Sequence, residues 1–212
     1  MPATALRAGL DALGLELEDD VQAALLRYVE LLRRWNRVYN LTAVDDPQGI
    51  VTRHLLDALA VLPWVPDGRL VDVGSGAGLP GIPLALARPG LDVTLLDAST
   101  KRVRFMRQAV IELGLDNAHP LHARAEAHTP GRPYDVVITR AFANISDMLV
   151  ACRHLVAADG VILAMKGQRP DTELAALPPD IVLLDVLPLA VPGLDAARHL
   201  VRLVPATARR AP

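Results

Sequence analysis

Three glycines, two carboxylates and three cations stand where this 212-residue chain can do chemistry. Gly74, Gly76 and Gly78 follow the short apolar run Leu70–Val73 and precede an apolar helical pattern, Ile82–Leu86, closed by Pro89-Gly90. A strand, a glycine-rich turn and a helix in this order let the backbone approach a ligand closely, beside the positive end of a helix. Such a turn suits a nucleotide-like cofactor. Asp72 sits on the strand itself. Asp97 ends the following strand pattern, 92–96, about 20 residues past the loop, where a carboxylate can accept from both ribose hydroxyls. Arg124, Arg140 and Lys166 each come just after a predicted strand. They therefore gather at the carboxyl edge of the sheet, where open α/β folds bind ligands. His and Cys spacing offers no metal site, and there is no G-x-S-x-G elbow.

The elements that must position these residues are legible as patterns. A short helix is predicted over 3–13 and a longer one over 19–37, where Val21, Leu25, Tyr28, Leu32 and Trp35 form an apolar stripe. The segment Trp35–Ala43 reads as a specific loop, rich in Asn and aromatics. Asp46-Pro47 starts another helix, with Asp as its cap. On it, Arg53 and Asp57 are spaced as a surface ion pair, and His54 reads as structural. From Arg69 onward strands and helices alternate, which implies a parallel sheet covered on both faces. Ser99 or Thr100 is expected to cap a helix running to Leu113, and Gly114 to stop it. A helix is expected from Arg140-Ala141 to about Val156, then a turn at Asp159-Gly160 into the strand 161–165. Residues 181–187 and 199–204 supply two last strands. The expected architecture is α/β, a mostly parallel seven-stranded sheet, with residues 1–65 as an N-terminal helical extension and 66–212 as the main domain.

Composition sets outer bounds. Apolar residues make up 51% of the chain, enough for one large core with an appendage. The single cysteine, Cys152, permits no internal disulfide, suits a reducing cytoplasmic setting and falls on a core pattern. The charged first twenty residues do not read as a signal peptide, and no apolar stretch reaches about 18 residues, so no membrane association is expected. A net charge of −2 argues against coating nucleic acid by bulk attraction, but allows a local basic face. Arg33, Arg34 and Arg37 crowd the end of one predicted helix, and Lys101, Arg102, Arg104 and Arg107 give another a basic side. Each group reads first as a solvated face, with phosphate contact as the alternative.

The glycine pattern selects the cofactor. A dinucleotide fingerprint requires G-x-G-x-x-G, but its third glycine position here is Leu79. The G-x-G-x-G spacing, the acidic strand residue and Asp97 resemble the S-adenosylmethionine loop of Rossmann-like class I methyltransferases. Further stretches extend the likeness: WNRVYNLTAV (35–44), RHLLDAL (53–59), VDVGSGAGLPGIPLAL (71–86), RAEAH (124–128), ITRAFA (138–143) and AMKGQ (164–168). Together they resemble the RsmG family, also called glucose-inhibited division protein B, in register from about 20 to 170. That family comprises S-adenosylmethionine-dependent 16S ribosomal RNA guanine-N7 methyltransferases.

The resemblance implies roles position by position. Gly74, Ser75, Gly76 and Gly78 would wrap the methionine part of the cofactor, Asp97 would hold its ribose, and Ala125 and Glu126 would border the adenine. Leu79-Pro80-Gly81 would shape the pocket mouth. Asn40, His54, Arg140 and Lys166 match positions associated with the active site, Arg140 also facing the cofactor, and Arg124, with Lys101 and Arg102, would face RNA. Guanine N7 carries a lone pair and no proton, so transfer needs alignment and no general base. Arg140 or Lys166 would contact the neighbouring O6 and offset the electron demand. The implied partner is 16S ribosomal RNA, more readily within a small subunit or assembly intermediate than naked, acted on by a monomer in the cytoplasm. A small-molecule methyltransferase is the first alternative; with aromatics at 3%, material for an aromatic lid is scarce. A non-catalytic binding module and a nicotinamide oxidoreductase are the others.

Overall fold

A computed structural model describes residues 1–210. Seven strands form one sheet: β1 (Arg69–Val73), β2 (Asp92–Asp97), β3 (Ala118–His122), β4 (Tyr134–Arg140), β5 (Val156–Lys166), β6 (Ile181–Pro188) and β7 (His199–Pro205). Their order is β3-β2-β1-β4-β5-β7-β6. Strands β1 to β5 pair in parallel, and β7 enters antiparallel between β5 and β6. The order reverses between β1 and β4, which opens the crevice where doubly wound sheets bind ligands.

Alternation along the strands sends Leu70, Val93, Leu95, Val136 and Ile138 to one face and Val71, Val73, Leu96 and Val137 to the other. On the first face lie α1 (Pro2–Leu13), α2 (Asp19–Tyr39), α5 (Gly81–Ala87) and α6 (Thr100–Leu113). On the second lies α7 (Ile145–Cys152), with Cys152 fully buried as its apolar pattern implies. Leu25, Tyr28 and Leu32 of α2 are completely buried in the same core as the sheet. Each contributes about 1.5–3 kcal/mol by leaving water. The N-terminal helices are thus packed into the site's foundations.

Local structure departs from expectation in five places. The aromatic–Asn segment is helical through Tyr39, because α2 ends only where Asn40 takes the left-handed conformation (φ 48) that Asn tolerates best after Gly. The helix begun by Asp46, whose carboxylate accepts the Gly49 amide, runs as α3 (Pro47–Ile50), a π-helical turn Val51–Leu56 and α4 (Asp57–Leu59). Neither Ser99 nor Thr100 caps α6 with its side chain; Asp97 Oδ1 takes the Ser99 amide instead, at 2.8 Å. The helix after Arg140 starts late, capped by Asn144, and α7 ends at Cys152. Asp159-Gly160 lies within β5, where the ladder passes from Tyr134–Val156 to Val136–Val161 and the intervening residues bulge out.

Candidate active site

Strand register places the site. Val73 lies beside Leu96 and Thr139, so Gly74, Asp97 and Arg140 continue as neighbours past the carboxyl edge. Arg140 pairs with Met165, which brings Lys166 alongside. Because β7 runs the other way, its first residue, His199, meets Lys166, and Arg198 just before it reaches the same edge.

The glycine loop is held from three sides. Gly74, Gly76 and Gly78 all have positive φ (72, 60 and 79), where a Cβ is strained. The amides of Gly74 and Ser75 donate to the Leu96 carbonyl at 2.8 and 3.1 Å, and the Gly76 amide to Asp97 Oδ2 at 2.9 Å. From above, the buried Tyr28 hydroxyl of α2 donates to the Ala77 carbonyl at 2.6 Å. Tyr28→Phe removes that donor and leaves a buried carbonyl unpaired, a cost of about 1–2 kcal/mol. Titrating cofactor against this variant should give a dissociation constant raised about threefold to tenfold, with turnover at saturation little changed.

Below the loop, Asp72 is fully buried. Its Oδ2 accepts the Gly81 amide at 2.9 Å, and its Oδ1 has no partner among the described residues. A Cβ at Gly81 would fall 2.9 Å from Asp72 Oδ2 and collide with Leu95, so Gly81 packs beneath the loop while Leu79 lines the cleft. Burial pushes the Asp72 carboxyl up to about 7, with the Gly81 hydrogen bond and the Arg140 guanidinium opposing. A folded-state value above the unfolded 3.8 means stability falls as pH rises from about 4 to 7. Asp72→Asn cannot ionise. Its stability relative to wild type should therefore climb across that interval in denaturant titrations, and a flat difference would refute the assignment.

Two cavities meet at Arg140. A cleft of about 440 Å³ is lined by the glycine loop, Leu79, Arg102 and Thr42. A second, of about 540 Å³, is lined by Arg53, Asp57, Met165, Lys166 and Arg198. His54, Arg140 and the segment Ala141–Ala143 line both. Ala141 holds φ 66, a strained value for a residue with a Cβ, at the junction.

The structure brings His54, Arg140 and Lys166 together. His54 Nδ1 lies 2.9 Å from the Arg53 carbonyl, which can only accept, so Nδ1 carries the proton. Its Nε2 then accepts from the Thr42 hydroxyl at 2.7 Å. Burial and the Arg140 charge push the imidazole down to about 4, leaving it neutral near pH 7. The stability this gives is complete above about pH 6.5 and is lost as pH falls toward 4. Lys166 lines the second cavity, but its ammonium is engaged by Glu173 at 3.0 Å and the Ala143 carbonyl at 3.3 Å.

Of the other expected site residues, one reaches the cleft and the rest lie apart. Asn40 is an exposed helix cap that lines neither cavity, although Leu41 and Thr42 after it do. Arg102 reaches the cofactor cleft and sits 3.5 Å from Asp97. Lys101 points outside, bonding the Tyr39 carbonyl at 3.0 Å. Arg124 is exposed beyond β3, next to the short turn carrying Ala125 and Glu126.

Asp57 departs most from the sequence reading. It is buried and does not pair with Arg53; Arg198 Nε lies 2.8 Å from its Oδ1 and Arg140 Nη1 3.4 Å from its Oδ2. The i,i+4 spacing suggested the wrong cation because both true partners are supplied by the tertiary fold. Tyr28, Thr42 and Arg198 also escaped notice. Only the antiparallel direction of β7 could have pointed to Arg198.

The residues present fit S-adenosylmethionine. An added Cβ at Gly74 would meet open space, and Asp97 Oδ1, which accepts the Ser99 amide alone, retains a second lone pair for a hydroxyl. Strand order, glycine loop and switch-point cleft define a Rossmann-like, S-adenosylmethionine-dependent methyltransferase. The fold matches a SAM-dependent methyltransferase structure from Aquifex aeolicus with a TM-score of 0.57 at 16% identity, covering 78% of this chain and 97% of that one. A family model described as "rRNA small subunit methyltransferase G" matches residues 21–201. Proteins named ribosomal RNA small subunit methyltransferase G from Yersinia pestis and Methylobacillus flagellatus are each 53% identical, over 92% and 93% of this chain and 95% and 96% of their own. The chain belongs to the rRNA small subunit methyltransferase G family.

Proposed function

We propose that this enzyme transfers a methyl group to N7 of a guanine in 16S ribosomal RNA. When bound, S-adenosylmethionine supplies an electrophilic methyl on a sulfonium centre. The observation that carries the N7 reading is that, among the described residues lining the joined cavities, no base is free to take a proton. His54 Nε2 is occupied by Thr42, and both Asp57 oxygens face guanidinium groups. N7 is an acceptor with no proton to lose, so a site without a free base suffices.

Catalysis by this chain is then positioning. The glycine loop and Asp97 fix the cofactor side. Arg140 offers N–H donors to the guanine O6, leaving N7 open toward the cleft. Positive charge passes onto the purine during transfer, which a bare guanidinium would oppose. Asp57 offsets that charge while leaving the Arg140 donors in place. His54 holds Thr42, and so the segment after Asn40, against the cleft. Residues 1–65 complete the acceptor side of the site, and 66–212 form the methyltransferase domain. The net negative chain, with its cations placed locally, supports recognition of a structured particle, a small subunit or its precursor; the reading has a monomer acting on it in the cytoplasm.

Labelled S-adenosylmethionine, incubated with small subunits from cells lacking the endogenous enzyme and in parallel with naked 16S RNA, tests this directly. The expected product is a single N7-methylguanosine, formed faster on the particle. Label on another base atom or on ribose would overturn the N7 reading.

A further inference from the structure

We propose that the exposed faces of α2 and α6 form a docking surface for the RNA phosphodiester backbone, outside the two cavities. The inference rests on the RNA reading above. Sorting the cations by partner reveals the surface. Among the described residues, every Arg and Lys on α1, on the strands and from 126 to 208 is ion-paired. The cations left without a carboxylate gather elsewhere: Arg27, Arg33 and Arg37 on α2, and Lys101, Arg104 and Arg107 on α6. Arg53, also without a carboxylate partner, lines the second cavity, and Arg124 lies exposed beyond β3.

The two helices lie side by side. Trp35 meets Phe105 edge-on at 5.6 Å, and Lys101 reaches the Tyr39 carbonyl. Glu112, the carboxylate of α6, is already taken by Arg34 at 2.8 Å. In a chain with 24 acidic and 22 basic residues, carboxylates are not scarce, so this clustering is a matter of placement. The surface also leads inward: Arg102 lines the cofactor cleft, and Asn40–Thr42 runs from the end of α2 to its wall. Cations without a carboxylate partner beside such a mouth suit a polyanion entering it, held by phosphates and without base readout.

The test is the double variant Arg104→Glu/Arg107→Glu, both exposed. Arg132→Glu/Arg153→Glu, on the far side, changes net charge equally. Methyl transfer to small subunits and naked 16S RNA is measured between about 50 and 200 mM salt. For the first variant, the RNA KM should rise at least about tenfold, with kcat at saturation and cofactor binding unchanged. The slope of log KM against log salt should shrink by about 1.5, near 0.7–0.9 per lost phosphate contact. An RNA KM and slope equal to wild type, or an equal shift in the control variant, would overturn the proposal. So would loss of binding to phosphatidylserine vesicles with an unchanged RNA KM, which would assign the surface to a membrane. Failure of the wild type to methylate RNA would refute the RNA reading and the docking surface with it.

Discussion

Arg140→Ala should lower kcat by about 100-fold at saturating cofactor and RNA, the scale of an acceptor held about 1 Å out of line. Arg140 is the side chain at which the cofactor cleft and the acceptor cavity join. Its removal deletes the donors facing the acceptor and leaves Asp57 with Arg198 alone. Arg140→Lys should recover little, because an ammonium cannot bond Asp57 and a planar acceptor in the same fixed fork. Cofactor affinity should change far less than turnover, since the glycine loop is held by Leu96, Asp97 and Tyr28. Single-turnover transfer alongside cofactor titration separates the two quantities. Wild-type turnover in Arg140→Ala would remove this residue from the mechanism.

Asp57→Asn should be the most destabilising isosteric change at the site. The carboxylate is 4% exposed and sits between two guanidinium groups that are 23% and 27% exposed. Removing its charge leaves two cations facing each other around a neutral amide. Breaking a buried pair costs about 3–5 kcal/mol, and partial solvation of the arginines reduces this to about 2–3. For a chain of this size the melting temperature should fall by about 5–10 °C. Turnover should fall too, because Arg140 then presents a full charge to a purine becoming positive. Turnover that stays below wild type at a temperature where the variant is fully folded would separate the catalytic part from the folding part. A melting temperature equal to wild type would show that the clamp carries no stability.

Some of this protein was written in local sequence. Alternating strands and amphipathic helices carry their own periodicity, so the sheet, the order of elements and the glycine loop were all legible. Positive φ at Gly74, Gly76 and Gly78 follows from a turn only glycine makes cheaply. Asp97, Arg140 and Lys166 were placed correctly at one edge because parallel strands all end there. The late start of the helix after Arg140 is marked locally by its Asn144 cap, but the strained turn at Ala141 that delays it is not.

Tertiary structure alone decided who pairs with whom. Asp57 meets Arg140 and Arg198, 83 and 141 residues away, and no local spacing encodes such a contact. Arg198 reaches the site because β7 is reversed, a property of sheet order that the periodicity of its own residues does not carry. Tyr28 looked like one more apolar position on a helix stripe until the fold set its hydroxyl against Ala77. Sequence determined the elements and the cofactor turn, since both rest on interactions within a few residues. Which charges were neutralised, and which were left facing outward, depended on long-range packing.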